Sequence, residues 1–310
     1  MTEHHLDDSG PHAFWDRELP PRVTIDRGDT VVFETLEGTG QVTPETGAEV
    51  VGALVEELIH PLTGPVAVSG AEPGDALVVE VLSLEHHGWG WNGVIPGFGL
   101  LGTEFEQPYI HHYELIGDQC FFADGIVIPY DPFCGVMGVA PDEEGRFDTG
   151  PPRRNAGNID IRHLTPGSVL ELPVLVPGAN FSCGDCHSAQ GDGEVNGTGI
   201  ETPMTVRLRF DLRPGEGGEA LRFRVPAGRP LTLLEAGGWF ATTGTGPDLF
   251  VAAQDALRRM IDDHLVAERG LTRAEAYCLA GAAVDMKISE IVNEPNWIVS
   301  AYLPEGIFVG

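Results

Sequence analysis

At 310 residues the chain is long enough to bury a substantial core, as one large domain or two modest ones. Its 47 acidic residues against 18 basic ones leave a formal charge of −29, which excludes the positive footprint that nucleic acid or an anionic membrane surface demands. Of the basic residues 17 are arginine and only Lys287 is lysine, so the phosphate loop ending in Gly-Lys-Ser/Thr and the Ser-Ser-Lys and Glu-Lys-Cys catalytic sets are absent, and Lys287 reads as a surface residue.

Residues 1–10 are polar, with no basic segment leading into an apolar run, and no stretch of apolar residues is long enough to span a bilayer. The five cysteines are irregularly spaced. Together these features predict a reduced, cytoplasmic protein without a membrane partner. Alternating apolar residues then predict strands over 30–36, 76–84, 169–176, 204–212 and 221–225. Three of them share a lead-in, Arg27-Gly28-Asp29, Pro73-Gly74-Asp75 and Pro166-Gly167-Ser168. A duplicated β unit and a common glycine turn explain that recurrence equally well.

Helical signals follow. Asp248, after Pro247, caps a segment whose apolar residues Leu249, Ala253, Leu257, Met260, Ile261 and Leu265 make one face. Thr272-Arg273-Ala274-Glu275 is a capping box that opens a second helix. The resulting expectation is a mainly β, α+β chain: sandwich-like sheets over 20–245, helices over about 248–290 and a last strand at 297–303, in a single unit over 1–310.

The densest polar cluster runs from Asn180 to Glu194, directly after an apolar strand. If residues 183–187 are extended, alternation points Cys183, Asp185 and His187 to one side. An aspartate and a histidine two residues apart suit one metal ion. The glycines of Gly191-Asp192-Gly193-Glu194 let a tight loop bring Asp192 or Glu194 back to the same point. Asp160, in Gly157-Asn158-Ile159-Asp160, is a further carboxylate ahead of a strand. Carboxylates with a histidine suit Zn²⁺, calcium or another divalent ion, whereas a solvated acidic turn needs none. Cys183-Gly184-Asp185-Cys186-His187 also matches the haem-attachment pattern, but no export signal accompanies it, and the cysteines read better as small buried hydrophobes.

These same strings closely resemble the acetamidase/formamidase family. So do Gly178-Ala179-Asn180-Phe181, His60-Pro61-Leu62-Thr63-Gly64-Pro65, Gly70-Ala71-Glu72-Pro73-Gly74-Asp75 and Gly135-Val136-Met137-Gly138-Val139-Ala140-Pro141, so the resemblance spans roughly residues 22–305. It is carried most specifically by Gly184-Asp185-Cys186-His187-Ser188-Ala189-Gln190-Gly191-Asp192-Gly193-Glu194. It implies a β-rich, metal-dependent hydrolase of small aliphatic amides such as formamide and acetamide. Departures at Asn180, Cys186 and Ser188 bear on the substrate rather than the reaction.

The reading that results makes Asp185 and His187 metal ligands with Asp160 as the third. Glu194 is the general base, Asp192 its alternative, and backbone amides of residues 191–193 hold the oxyanion. Two alternatives stand beside it: a non-catalytic metal- or ligand-binding β module, and a related hydrolase for a bulkier or cyclic amide. His60, Glu201 and Asp285 each either join the site or serve the fold. Strand neighbours face opposite ways, so neither His86-His87 nor His111-His112 easily shares one metal, and both pairs are expected to be exposed. Trp89-Gly90-Trp91 and the glycine-rich 95–102 read as a loop carrying aromatic surface, either a pocket roof or a subunit contact, and strand edges that need covering predict a homodimer or larger homo-oligomer.

Overall fold

The computed structural model describes residues 1–227, 238–292 and 294–309. Two sheets face one another across the main core. The first has six strands, in the order Glu3–Leu6, Thr30–Glu34, Met204–Arg213, Ala76–His86, Val169–Pro173 and Arg222–Arg224. The second has five, in the order Ala156–Asn158, Phe133–Gly138, Phe181–His187, Thr63–Val68 and Val23–Ile25. Alternation explains why the first sheet buries one side only: Met204–Arg213 reads buried at Met204, Val206, Leu208, Phe210 and Leu212, with Arg207 and Arg209 outside. Strand Phe181–His187 is buried along its whole length, as befits a strand covered on both faces.

Phe181 joins the two sheets. Its ring meets Phe33 at 6.1 Å and Phe210 at 5.2 Å, both edge to face. Truncating such a fully buried ring to alanine costs about 3–5 kcal/mol. The three shared lead-ins all open strands of the six-stranded sheet, and Gly28, Gly74 and Gly167 take φ of 86°, 99° and 92° there, which side chains seldom adopt.

A second core lies under the four-stranded sheet Ile126–Pro129, Gln119–Ala123, Tyr109–Ile116 and Trp89–Val94. The two helices cover it. Leu249–Arg259 starts at Asp248, whose carboxylate accepts from the N–H groups of Phe250 and Val251, and runs on as the wider turns of Met260–Val266. Arg273–Ala283 opens with the full capping box of Thr272 and Glu275. The mainly β class and both helix starts are therefore as expected.

Three expectations need correction. The helical portion stops at Ala283, because Val284 is extended and Asp285–Glu290 forms a strand on Trp297–Pro304. Trp89–Val94 is a paired strand with Trp91 fully buried, rather than a loop. Of the paired histidines, His87 is exposed, whereas His111 is half-buried, stacks on Phe122 at 3.9 Å and bonds the Phe122 carbonyl. Lys287 is exposed, with its ammonium 5.0 Å from the Trp239 ring and 4.8 Å from Tyr302. Among the described residues no helix is long and apolar enough to cross a membrane.

Candidate active site

The site forms where Phe181–His187 meets three loops. Gly135 sits opposite the bend at Asp185, and its carbonyl accepts from the N–H of both Ile159 (3.0 Å) and Asp160 (3.2 Å). That fork seats Asp160 beside Asp185, and a side chain at position 135 would collide with both carboxylates. Asp185 has φ of 51°, so the strand does not alternate as an extended chain does. Asp185 and His187 face the site, but Cys183 turns into the main core with Cys186, whose Sγ is 3.6 Å from that of Cys134. The expected common side of Cys183, Asp185 and His187 thus holds for the last two only.

Glu201, which the sequence leaves open between site and fold, completes the group. Residues 200–202 pair antiparallel with the end of Phe181–His187 through Thr202 N–H to Cys186 O (2.9 Å) and Ser188 N–H to Ile200 O (2.9 Å). On their other side they exchange two bonds with Trp91. His187 Nε2 consequently lies 3.1 Å from Glu201 Oε1 and 3.5 Å from Asp185 Oδ1. The opposite ring nitrogen, Nδ1, bonds Gln190 Oε1 at 2.8 Å, and Gln190 Nε2 donates to the Asp160 carbonyl at 3.2 Å. The glutamine oxygen accepts from Nδ1–H and so turns Nε2 toward the carboxylates. His60 also joins: its Nε2 is 3.7 Å from Asp185 Oδ2, its Nδ1 meets Thr149 Oγ1 at 3.2 Å, and its N–H holds the Gly38 carbonyl.

His187 is a ligand-type atom in two triads, one with Asp160 and Asp185, the other with Glu194 and Glu201, each with its ligand atoms within 4.8 Å of one another. Asp160 Oδ1, His187 Nε2 and Glu201 Oε2 are buried and make no well-directed hydrogen bond, although Nε2 faces Glu201 Oε1 at 3.1 Å. Buried polar atoms without partners are costly, and here they converge. Gly38 faces the same point, where a Cβ would run into Asp185 Oδ1 and Glu201 Oε2. The donor set, one imidazole nitrogen and several carboxylate oxygens around a reserved space, fits a divalent cation. His60, Asp160, Asp185 and Glu194 all take positive φ, four of the seven non-glycine residues among those described that do so. Such backbone strain gathers at functional sites.

The electrostatics follow from burial. Burial, then the charge of Glu194, raise Asp160 well above the carboxylate range. Burial pushes Glu194 and Glu201 up to about 8. Burial also works against charge on Asp185, but His60 and His187 outweigh it and hold that carboxyl low. For His187 the order is similar: burial lowers it, and Glu201 and Asp185 more than reverse this.

A cavity of about 730 Å³ opens onto the group, lined by His60, Asp160, Asp185, Glu194 and Glu201 on one side and by Trp91 and Phe98 among the apolar residues. Asp192 does not line it. Its N–H donates to Asp285 Oδ1 (3.1 Å) and its carbonyl accepts from Met286 N–H (2.9 Å). Gly191 N–H is spent on the Gly281 carbonyl at 2.8 Å. Two of the three amides expected to hold an oxyanion are therefore engaged elsewhere. Asp285 stays outside the cavity and pairs with Arg162, both buried.

This constellation can be set beside known proteins. A model of the Acetamidase/Formamidase family matches residues 2–148 and 145–309. The chain belongs to the acetamidase/formamidase family. The acetamidase of Mycolicibacterium smegmatis is 28% identical over 66% of this chain, which spans 66%, about two thirds, of that relative's length. The formamidase of Methylophilus methylotrophus is 27% identical over 96% of this chain and 89% of its own. The solved γ-lactamase of Delftia acidovorans superposes with a TM-score of 0.90 at 26% identity, covering 98% of this chain and 93% of that one. The resemblance carried by the 184–194 string is thereby borne out, and in this acetamidase/formamidase chain that string supplies Asp185, His187, Gln190 and Glu194.

Proposed function

We propose that this chain hydrolyses amides to a carboxylate and ammonia or amine, and that the reaction depends on a divalent cation held by Asp160, Asp185 and His187. The observation that carries the reading is the convergence, beside the cavity, of two sets of ligand atoms that share His187, one with Asp160 and Asp185 and the other with Glu194 and Glu201. Family membership supports the reaction class. A cation bound there supplies an acidified water and a polarised carbonyl.

The chain's own residues do the rest. Gln190 holds the His187 ring with Nε2 inward. Glu194, half-buried at the cavity, takes a proton from the attacking water and delivers it to the leaving nitrogen. Glu201 accepts from Gly199 N–H at 2.9 Å and is kept beside His187, and His60 faces Asp185 from the opposite loop. We also propose that the whole chain acts as one unit and that the enzyme is a homo-oligomer. Zinc, with its preference for mixed nitrogen and oxygen donors, is the first metal to try, and calcium the control.

A second reading has its own support. The cavity falls in the range that holds drug-sized ligands, far more than formamide fills, and the γ-lactamase gives a TM-score of 0.90. A bulkier or cyclic amide is therefore a substrate to test beside the short ones. The test is release of ammonia or ring-opened product from formamide, acetamide and a γ-lactam, before and after chelation and after metal is returned. Turnover that stops with chelator and resumes with metal is expected. Metal binding without turnover of any amide would make the chain a binding module instead.

A further inference from the structure

The cavity is built asymmetrically. Its inner wall is the carboxylate–histidine group, and much of the rest is apolar, with Val51, Leu54, Ile59, Trp91, Ile95 and Phe98 among its lining. Phe98 is 53% exposed and its ring lies close against Gly197, where any side chain would displace it. It thus gives the cavity a partly exposed aromatic ring. Three further acids, Glu56, Glu57 and Asp148, also line the cavity and are exposed. Asp148 has a distant partner, Arg153, at 3.7 Å. Among the described residues that line the cavity there is no lysine or arginine.

A substrate carboxylate placed at the outer end of such a cavity, away from His60, meets no lysine or arginine among the described lining residues. It loses water, approaches exposed acids and finds no compensating hydrogen-bonded charge. An alkyl chain, by contrast, gains by covering the apolar wall. An ammonium at its far end would meet Glu56, Glu57 and Asp148. Electrostatic focusing in a cleft of one sign strengthens the preference, and the chain's net charge of −29 acts in the same direction.

From this we infer that the substrate is an amide with an extended apolar acyl chain whose far end is neutral or cationic, and that amides bearing a second, anionic end are rejected. This rests on the amidase reading above and narrows it. Phe98 and the apolar wall select for the chain; the exposed acids select by charge at its end.

Three amides of matched length separate the possibilities: hexanamide, its ω-amino analogue ε-aminocaproamide, and its ω-carboxyl analogue adipamic acid. With the metal-loaded enzyme at low salt, kcat/KM for adipamic acid should be at least about tenfold below that for hexanamide, and ε-aminocaproamide should equal or exceed hexanamide. Raising the salt should narrow the gap, since the outer acids are exposed. The triple variant Glu56→Gln, Glu57→Gln, Asp148→Asn should narrow it too. Phe98→Ala should lower kcat/KM for hexanamide while leaving acetamide, which does not reach the ring, less affected. Calorimetric binding of the same three compounds gives a readout independent of turnover. The same order of affinity without hydrolysis would keep the selectivity and overturn the amidase reading. Equal kcat/KM for all three amides, unchanged by salt or by the triple variant, would overturn the inferred substrate class and leave the amidase reading standing.

Discussion

His187 Nε2 lies 3.1 Å from Glu201 Oε1, while its Nδ1 is tied to Gln190 at 2.8 Å. One side of the ring is fixed so that the other can serve. Losing the ring should therefore remove the cation as well as the activity. His187→Ala should fold, bind less metal by elemental analysis and lose turnover. Gln190→Ala should keep the ligands but lower metal affinity by about 10–100-fold, the usual cost of losing a partner behind a ligating histidine. Unchanged metal content in His187→Ala would remove it from the ligand set.

Glu194 is expected to move protons rather than hold the cation. Glu194→Gln should retain metal and lose about 10²–10⁴-fold in kcat, because an amide side chain cannot take the proton. Kinetics combined with metal analysis on one preparation checks both halves. Near-normal kcat would shift the base to another carboxylate, and Glu201 is closer to the group than Asp192.

Removing metal should make stability depend on pH in a defined direction. Glu194 and Glu201 are raised from 4.5 to about 8, and His187 is raised above 6.5. The folded, metal-free chain thus holds more protons than the unfolded chain, and its stability falls as pH rises from about 5 to about 8. Asp185, held low, acts below this window, losing its contribution as pH falls. The melting-temperature difference between wild type and Glu194→Gln/Glu201→Gln should therefore grow across the window, and bound cation should abolish it. A difference that does not vary with pH would contradict the raised values.

Asp285 and Arg162 tie two parts of the site together at a distance from the cavity. Arg162 follows Asp160 by two residues, and Asp285 holds the N–H of Asp192 in the loop that carries Glu194. Asp285→Ala strands a buried guanidinium and should cost about 3–5 kcal/mol in denaturant unfolding, whereas replacing both partners with apolar residues should cost less. The single variant should also lower kcat through Glu194. Full kcat in a folded Asp285→Ala would show that the loop holds its place without the pair.

Much of this was legible in the residues, and the failures have physical causes. Asp160, Asp185 and His187 bring ligand atoms within 4.8 Å of one another, the grouping that the strings around them suggested. Asn158 and Gly135 then complete the pairing that seats Asp160. Glu201 was legible only as an open candidate, because its place depends on pairing with both Trp91 and His187, contacts distant in sequence. Cys183 was misplaced because period-two alternation presumes extended backbone, and Asp185 at φ 51° breaks it. The strand Asp285–Glu290 was hidden because its pairing with Trp297–Pro304, rather than local propensity, decides it.

The central claim is that a divalent cation sits between Asp160, Asp185 and His187 of an amide hydrolase. Anomalous diffraction at the absorption edge of the metal found by elemental analysis tests it most directly. We predict a single strong peak in crystals of the active protein, about 2.0–2.2 Å from His187 Nε2 and from carboxylate oxygens of Asp160 and Asp185 if the metal is zinc. An ordered cluster without any peak, in protein that still hydrolyses amides after chelation, would contradict it.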